Sequence, residues 1–376
     1  MPTIRLVDIP EPKLPSPDWV KIQTIYCGYC GSDHNLIFLH DSPSASPFTS
    51  FPSVLGHEIV GKISKTGTNV KNFSEGDIVT INPILGCEAR DINPKCPSCA
   101  AGRSSSCENF AEGSIPPGMI TGLNKGVNGG FSAFFIAHKS QLFKVPEGLS
   151  LEAAVMTEPV TVALATLFDN MPQPDEKVLI IGGGVIGTLL VRSIRALEGN
   201  CHISVIEPSP FAASIATKPG ADEIIPVNDI LNHSARITGA TLYKPLLGMK
   251  MPMGGFHRIY DTVGNSSTVN QSLRLLKALG TLSVVGIGGD VKLDLTPLWL
   301  KLQKIQGVYG SGEVTYRDKK QHVFDIALEL MGSGRIRTED LVTHKFSIEE
   351  YVDMIEVNLN KSKNKAVKTV VSFTRT

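Results

Sequence analysis

Lys177-Val178-Leu179-Ile180-Ile181-Gly182-Gly183-Gly184-Val185-Ile186-Gly187 is the stretch on which the fold turns. Val178 to Ile181 read as a buried strand, and the glycines after them mark where it stops. Gly182, Gly184 and Gly187 give the spacing G-x-G-x-x-G where that strand hands over to a helix. In such a turn the first glycine permits the tight bend and the second lets a pyrophosphate approach the backbone. The third lets the helix pack on the sheet, and the helix N-terminus faces the anion with free N–H groups. Gly183, Val185 and Ile186 complete the cradle. Glu207 stands 20 residues after Gly187, at the end of the next apolar run. A carboxylate there accepts hydrogen bonds from ribose hydroxyls. Pro208 to Ala213 contain no Arg or Lys to hold a 2′-phosphate, so the expected carrier is NAD.

Outward from this turn, the chain alternates strands and helices. Lys177–Ile181, Ile203–Glu207, Ile224-Ile225, Arg258–Asp261 and Thr281–Gly286 read as strands. Helical patterns cover Gly184–Glu198, Ala212–Lys218 and Ser267–Leu279. That rhythm predicts a doubly wound parallel sheet over residues 158–304. Residues 1–157 differ: glycine and proline recur between short β-type runs such as Trp19–Ile22 and Asp77–Ile81, which predicts a mostly β domain. After about residue 305 a helix over Lys319–Met331 and a β-type run from Ala366 to Phe373 are expected to return to that first domain.

Composition narrows the class. A chain of 376 residues accommodates two cores. Lys plus Arg equals Asp plus Glu at 36 each, so no net charge draws the protein to nucleic acid or anionic lipid. Met1 to Pro17 lack the apolar core of a signal peptide, and Val178–Val191 is too short and glycine-broken to span a bilayer. Seven cysteines, an odd number, argue against a disulfide framework and for a cytoplasmic protein. Cys27 and Cys201 read as buried thiols. The other chemistry lies in two groups.

The first group is Gly56-His57-Glu58-Ile59-Val60-Gly61, with Cys30-Gly31-Ser32-Asp33 ahead of it and Gly67 and Val70 behind. Thiolate, imidazole and carboxylate together suit Zn²⁺. Cys30 and His57 are its expected anchors. Glu158, in Thr157-Glu158-Pro159-Val160, stands where the two textures meet and can close the site, with Glu58 a fourth or alternating ligand. A catalytic zinc needs three protein ligands and one open position. A reactive zinc and a nicotinamide carrier in one chain point to hydride chemistry on an alcohol or carbonyl. The second group is Cys87, Cys96, Cys99 and Cys107, four thiols within 21 residues.

These residues resemble the zinc-dependent medium-chain dehydrogenase/reductase family. Gly56 through Val70 is similar to its zinc signature, G-H-E-x2-G-x5-G-x2-V. Cys30-Gly31-Ser32-Asp33 resembles the segment of the first ligand. Glu158-Pro159 resembles the third-ligand segment of polyol, sugar and threonine dehydrogenases. The resemblance implies a GroES-like β domain beside a Rossmann domain, with Ser32 handing on the substrate proton and Asp33 behind the ligands. It also implies dimers or tetramers. The family's relay histidine position is Asn35 here, with His34 one residue earlier, so His34 is either a relay member or a solvated loop histidine. Cys96-x2-Cys99-x7-Cys107 matches three ligands of the family's structural zinc. The usual first cysteine is Asn93, and Cys87 is expected to loop in as the fourth.

The expectation is a zinc- and NAD-dependent dehydrogenase acting on a secondary alcohol of the polyol or sugar kind. Two alternatives stand beside it. One is a zinc-free quinone or alkene reductase of the same superfamily. The other is a nucleotide-binding protein whose cysteine lobe acts as a zinc finger.

Overall fold

A computed structural model describes residues 4–374, and the chain divides into two compact units. Unit one comprises Met1–Thr161 with Gly310–Thr376, and unit two is Val162–Tyr309.

Unit one is built on a seven-stranded sheet. Its strands run in the order Val342–Phe346, Lys368–Ser372, Trp19–Gly28, Glu58–Thr66, Ile78–Ile81, Leu142–Lys144, with Phe134–His138 also paired to Trp19–Gly28. All pairings are antiparallel except that of Val342–Phe346 with Lys368–Ser372. Alternating apolar residues bury one face around Val20, Ile22, Ile59, Ile63, Val79, Ile81 and Phe135. Register matters most at the end of Trp19–Gly28, where Gly28 lies opposite Glu58 on one side and Val370 on the other. The chain thereby reaches Cys30 between the zinc-signature strand and the C-terminal strand.

Unit two is a six-stranded parallel sheet in the order Lys304–Gly307, Leu276–Val284, Phe256–Asp261, Lys177–Ile181, His202–Ile206, Glu223–Ile224. Numbered along the chain this is 6-5-4-1-2-3, the doubly wound dinucleotide-binding topology. Leu179, Ile181, Ile206, Ile259, Leu273 and Leu282 form much of its core.

Several expected boundaries shift. The second unit runs to Tyr309 rather than residue 304, because Lys304–Gly307 adds a sixth strand. As an edge strand with one neighbour, it needs no two-sided apolar pattern, which hides it in the sequence. Glu158 falls in the first unit, since the helix Thr157–Asp169 begins there and continues into the second. The helix expected over Lys319–Met331 starts at Val323. Lys319–His322 instead forms a hairpin with Glu313–Tyr316, and His322 Nδ1 accepts the Phe324 N–H at 3.2 Å as the helix N-cap. The helix after the glycine turn ends at Ala196, and Ser266–Leu275 ends four residues before the expected Leu279. Among the described residues, no helix is long and apolar enough to cross a membrane.

Candidate active site

Cys30 is the N-cap of the helix Gly31–Phe38, with extended backbone at φ −95° and ψ 160°. Asp33, three residues on, accepts the Cys30 N–H through Oδ2 at 2.9 Å and is almost wholly buried. This reciprocal cap fixes both side chains. Asp33 Oδ1 lies 3.6 Å from His57 Nδ1, while His57 Nε2 lies 3.4 Å from the Ser32 hydroxyl. The imidazole is therefore oriented by a carboxylate on one side and presents its other nitrogen to Cys30 and Ser32. Burial alone would push its pKa down. The Asp33 carboxylate and the Cys30 sulfur outweigh that and hold it well above the usual histidine range.

Ligand atoms of Cys30, His57 and Glu58 all lie within 4.8 Å of one another. A sulfur, a ring nitrogen and a carboxylate oxygen at that spacing are a donor set of the kind Zn²⁺ takes. Buried His57 Nδ1 makes no hydrogen bond of ordinary length, as 3.6 Å to Asp33 is too long. The residues thus fit the metal in donor chemistry, and zinc at Nε2 is the charge that would tighten the Asp33 contact.

Glu58 is more constrained than the sequence indicates. Lys368 Nζ donates to Glu58 Oε1 at 2.7 Å and Oε2 at 2.6 Å, and to the Tyr29 carbonyl at 3.2 Å. Gly28 makes room for this pair, because a Cβ there would lie 2.0 Å from Glu58 Oε2. Sequence reading missed Lys368. Its one signal is a lone cation inside the apolar run Ala366–Phe373. Glu158 lies outside the tight group but is buried, and burial raises its carboxyl to about 7 against the pull of His57. His34 is not a solvated loop residue. It sits on the helix, half-buried, with Nδ1 3.3 Å from the Tyr29 hydroxyl and its ring against Phe38 and His40. Of the two, Ser32 stands beside His57 and His34 beside Tyr29.

The second group comes together as well. Sulfurs of Cys87, Cys96, Cys99 and Cys107 lie within 4.8 Å of one another, with Cys87 3.7 Å and Cys96 4.0 Å from Cys107. Zn–S bonds of about 2.3 Å give a tetrahedron with edges of roughly 3.8 Å, so the four fit one zinc. Backbone N–H groups of Cys87, Cys96 and Cys99 donate to Cys99, Cys87 and Cys96 sulfurs respectively. Against its burial, such bonds bring Cys96 down to about 7, while burial pushes Cys99 up and Cys107 up to about 11. Asn93 is exposed and takes no part in the group. Buried Arg90 ties the lobe down, donating to the carbonyls of Leu85, Glu112, Ile115, Pro116 and Gly118.

In unit two the glycines divide the work. Gly182 has φ +95°, open only to a residue without Cβ, and a Cβ on Gly187 would lie 1.8 Å from the Gly182 carbonyl. A Cβ on Gly184 would meet nothing within 4 Å, so this face is free for a ligand, ahead of the helix Val185–Ala196. Val185 and Ile186 form the first turn of that helix. Glu207 caps the turn: its Oε2 accepts the Gly183 N–H and its Oε1 the Ser209 N–H, both at 2.7 Å. One bond per oxygen leaves acceptor capacity on each.

Comparisons with known proteins agree with this arrangement. The alcohol dehydrogenase GroES-like domain family matches residues 16–147, and the zinc-binding dehydrogenase family matches residues 185–331. The chain is 26% identical to sorbitol dehydrogenase of Bacillus subtilis (strain 168), covering 98% of this chain and 94% of that protein. It is 28% identical to L-idonate 5-dehydrogenase of Vitis vinifera, covering 92% and 86%. Among solved structures, a candidate zinc-binding dehydrogenase from Sinorhizobium meliloti 1021 bound to NADP is similar with a TM-score of 0.76. That pair is 25% identical, covering 98% of this chain and 95% of the other. With both domain families matched in order across the two units, the chain belongs to the zinc-dependent medium-chain dehydrogenase/reductase family of oxidoreductases.

Proposed function

We propose that this protein transfers hydride between a secondary alcohol, of the polyol or sugar kind, and NAD. The observation that carries the reading is the convergence of Cys30, His57 and Glu58 ligand atoms within 4.8 Å beside the exposed Ser32 hydroxyl. Sorbitol and L-idonate dehydrogenases among the relatives support the substrate class.

Cys30 and His57 would hold the metal with a carboxylate as third ligand: buried Glu158, which feels the charge of His57, or Glu58, whose oxygens each accept one bond from Lys368 and keep acceptor capacity. Zinc held there supplies a Lewis acid that makes an alcohol proton easier to remove. Asp33 keeps His57 turned toward the metal. Ser32 Oγ accepts the alcohol proton and passes its own outward to solvent. Lys368 neutralises Glu58, so the pocket does not accumulate unpaired negative charge beside the reacting oxygen. The cysteine lobe holds a structural zinc. Gly182, Gly183, Gly184, Val185, Ile186 and Gly187 cradle the carrier's pyrophosphate, and Glu207 takes its ribose hydroxyls. The Sinorhizobium meliloti relative is bound to NADP, but Glu207 and the lack of Arg or Lys over Pro208–Ala213 favour NAD here.

The sheet edge supports a homo-oligomer. Lys304–Gly307 has one strand neighbour, and Trp299, Leu300, Leu302 and Ile305 are exposed around it. A second copy covers such a surface best. Free cysteines in both groups suit a reducing, cytoplasmic setting. The reading is tested by zinc content of the purified protein and by NADH formation across alcohols, polyols, aldoses and threonine. Metal-free protein, or turnover with none of these, overturns it.

A further inference from the structure

Between the helix Ile230–Thr238 and the strand Phe256–Asp261, the second unit extends a two-stranded hairpin, Thr241–Tyr243 paired with Met251–Met253. Its connecting segment reads Lys244-Pro245-Leu246-Leu247-Gly248-Met249-Lys250. Leu246 is completely exposed, Leu247 is 91% and Met249 64% exposed, and Tyr243 and Met253 below them are also open. Large apolar side chains held in water at the tip of a hairpin have no folding role, and a contiguous set of them marks a binding surface.

Charge says what kind. Within hairpin 241–253 there is no acidic residue and its cations are Lys244 and Lys250, whereas Arg236 and Arg258 on either side are paired with Asp229 and Glu176. Lys244 and Lys250 bracket the apolar tip and are exposed. Asp294 sits 3.6 Å from Arg274, which also donates to the Met249 carbonyl. A zero net charge argues against attraction of the whole chain to anionic lipid, but not against this local bias. The hairpin precedes Phe256, and the sheet is parallel, so it leaves the end opposite the Gly182 turn and does not obstruct it.

We propose that hairpin 241–253 docks the protein on an anionic lipid surface, with Leu246, Leu247 and Met249 entering the interface and Lys244 and Lys250 meeting the headgroups. An apolar tip collared by lysines matches the layering of such an interface, with hydrocarbon below and negative headgroups around it. A second copy pairing hairpin to hairpin would have to bring acid to Lys244 and Lys250, and residues 241–253 contain none. Attachment of this kind is peripheral and reversible.

Vesicle co-sedimentation of the full-length protein tests it, with phosphatidylcholine alone and with phosphatidylcholine mixed with phosphatidylglycerol. The expected result is binding to the mixed vesicles that salt weakens. Leu246→Ser/Leu247→Ser and Lys244→Glu/Lys250→Glu should each reduce it on the order of tenfold, with melting temperature unchanged. Absence of binding to the mixed vesicles overturns the proposal. So does undiminished binding by both variants. A fall in solution mass for Leu246→Ser/Leu247→Ser, without vesicle binding by the unmodified protein, reassigns the tip to a second copy.

Discussion

Lys368 Nζ lies 2.7 Å and 2.6 Å from the two carboxylate oxygens of Glu58, and both side chains are shut away from solvent. Burial of either charge alone is costly, so the pair stands or falls together. Lys368→Met leaves an uncompensated carboxylate and should destabilise the protein by about 3 kcal/mol. Adding Glu58→Gln should recover part of that loss. Chemical denaturation of the four proteins measures the coupling. Strictly additive losses would show that the two side chains do not share their energy.

Cys87→Ser tests the lobe. If Cys87 completes a closed zinc, the variant should release about one zinc per chain and melt several degrees lower, with chemistry affected less than stability. Metal analysis with thermal unfolding gives both readings. An unchanged zinc content and melting temperature would leave Cys87 outside the ligand set.

Glu207 decides carrier choice. Two like charges about 4 Å apart near a surface repel by roughly 4 kcal/mol before screening, which disfavours a 2′-phosphate strongly even after heavy discounting. Glu207→Ala should weaken NAD binding and narrow the preference over NADP. Because Glu207 also accepts the Gly183 and Ser209 N–H groups, Glu207→Gln is the gentler variant: its one remaining side-chain oxygen can still accept one of them. Equal kcat/KM with both carriers in the unmodified protein would rule out a ribose-facing carboxylate.

His322 gives a pH signature away from the metal ligands. Burial lowers its pKa to about 4, and its Nδ1 accepts the Phe324 N–H. The unfolded chain takes up a proton near pH 6.5, the folded one only near pH 4. Below pH 6.5 the unfolded state binds more protons, so this contribution to stability is lost as pH falls from 6.5 toward 4, by roughly 3 kcal/mol at most. His322→Asn, which can still cap the helix, should flatten that part of the profile in urea denaturation at a series of pH values. A parallel profile in wild type and variant would remove His322 from the account.

Much of this was legible in the sequence because the chemistry is local there. Strand, glycines and helix follow one another in the dinucleotide turn, and Cys96, Cys99 and Cys107 are neighbours along the chain. What was hidden depends on register. Lys368 meets Glu58 because the last strand pairs beside Trp19–Gly28, a contact across 310 positions that no short pattern encodes. Lys304–Gly307 is hidden because an edge strand tolerates polar residues, and the start of the helix at Val323 because the helical pattern extends back over His322, which serves as its cap. Glu207 shows a further reason: one carboxylate can cap a turn and still have acceptors to offer.

The central claim is a catalytic metal held by Cys30 and His57, and zinc content measured alongside turnover tests it most directly. Cys30→Ala and His57→Ala should each lack about one zinc per chain relative to wild type and lose NADH formation, while still binding NADH as followed by its fluorescence. Either variant retaining full zinc and full activity would contradict the account.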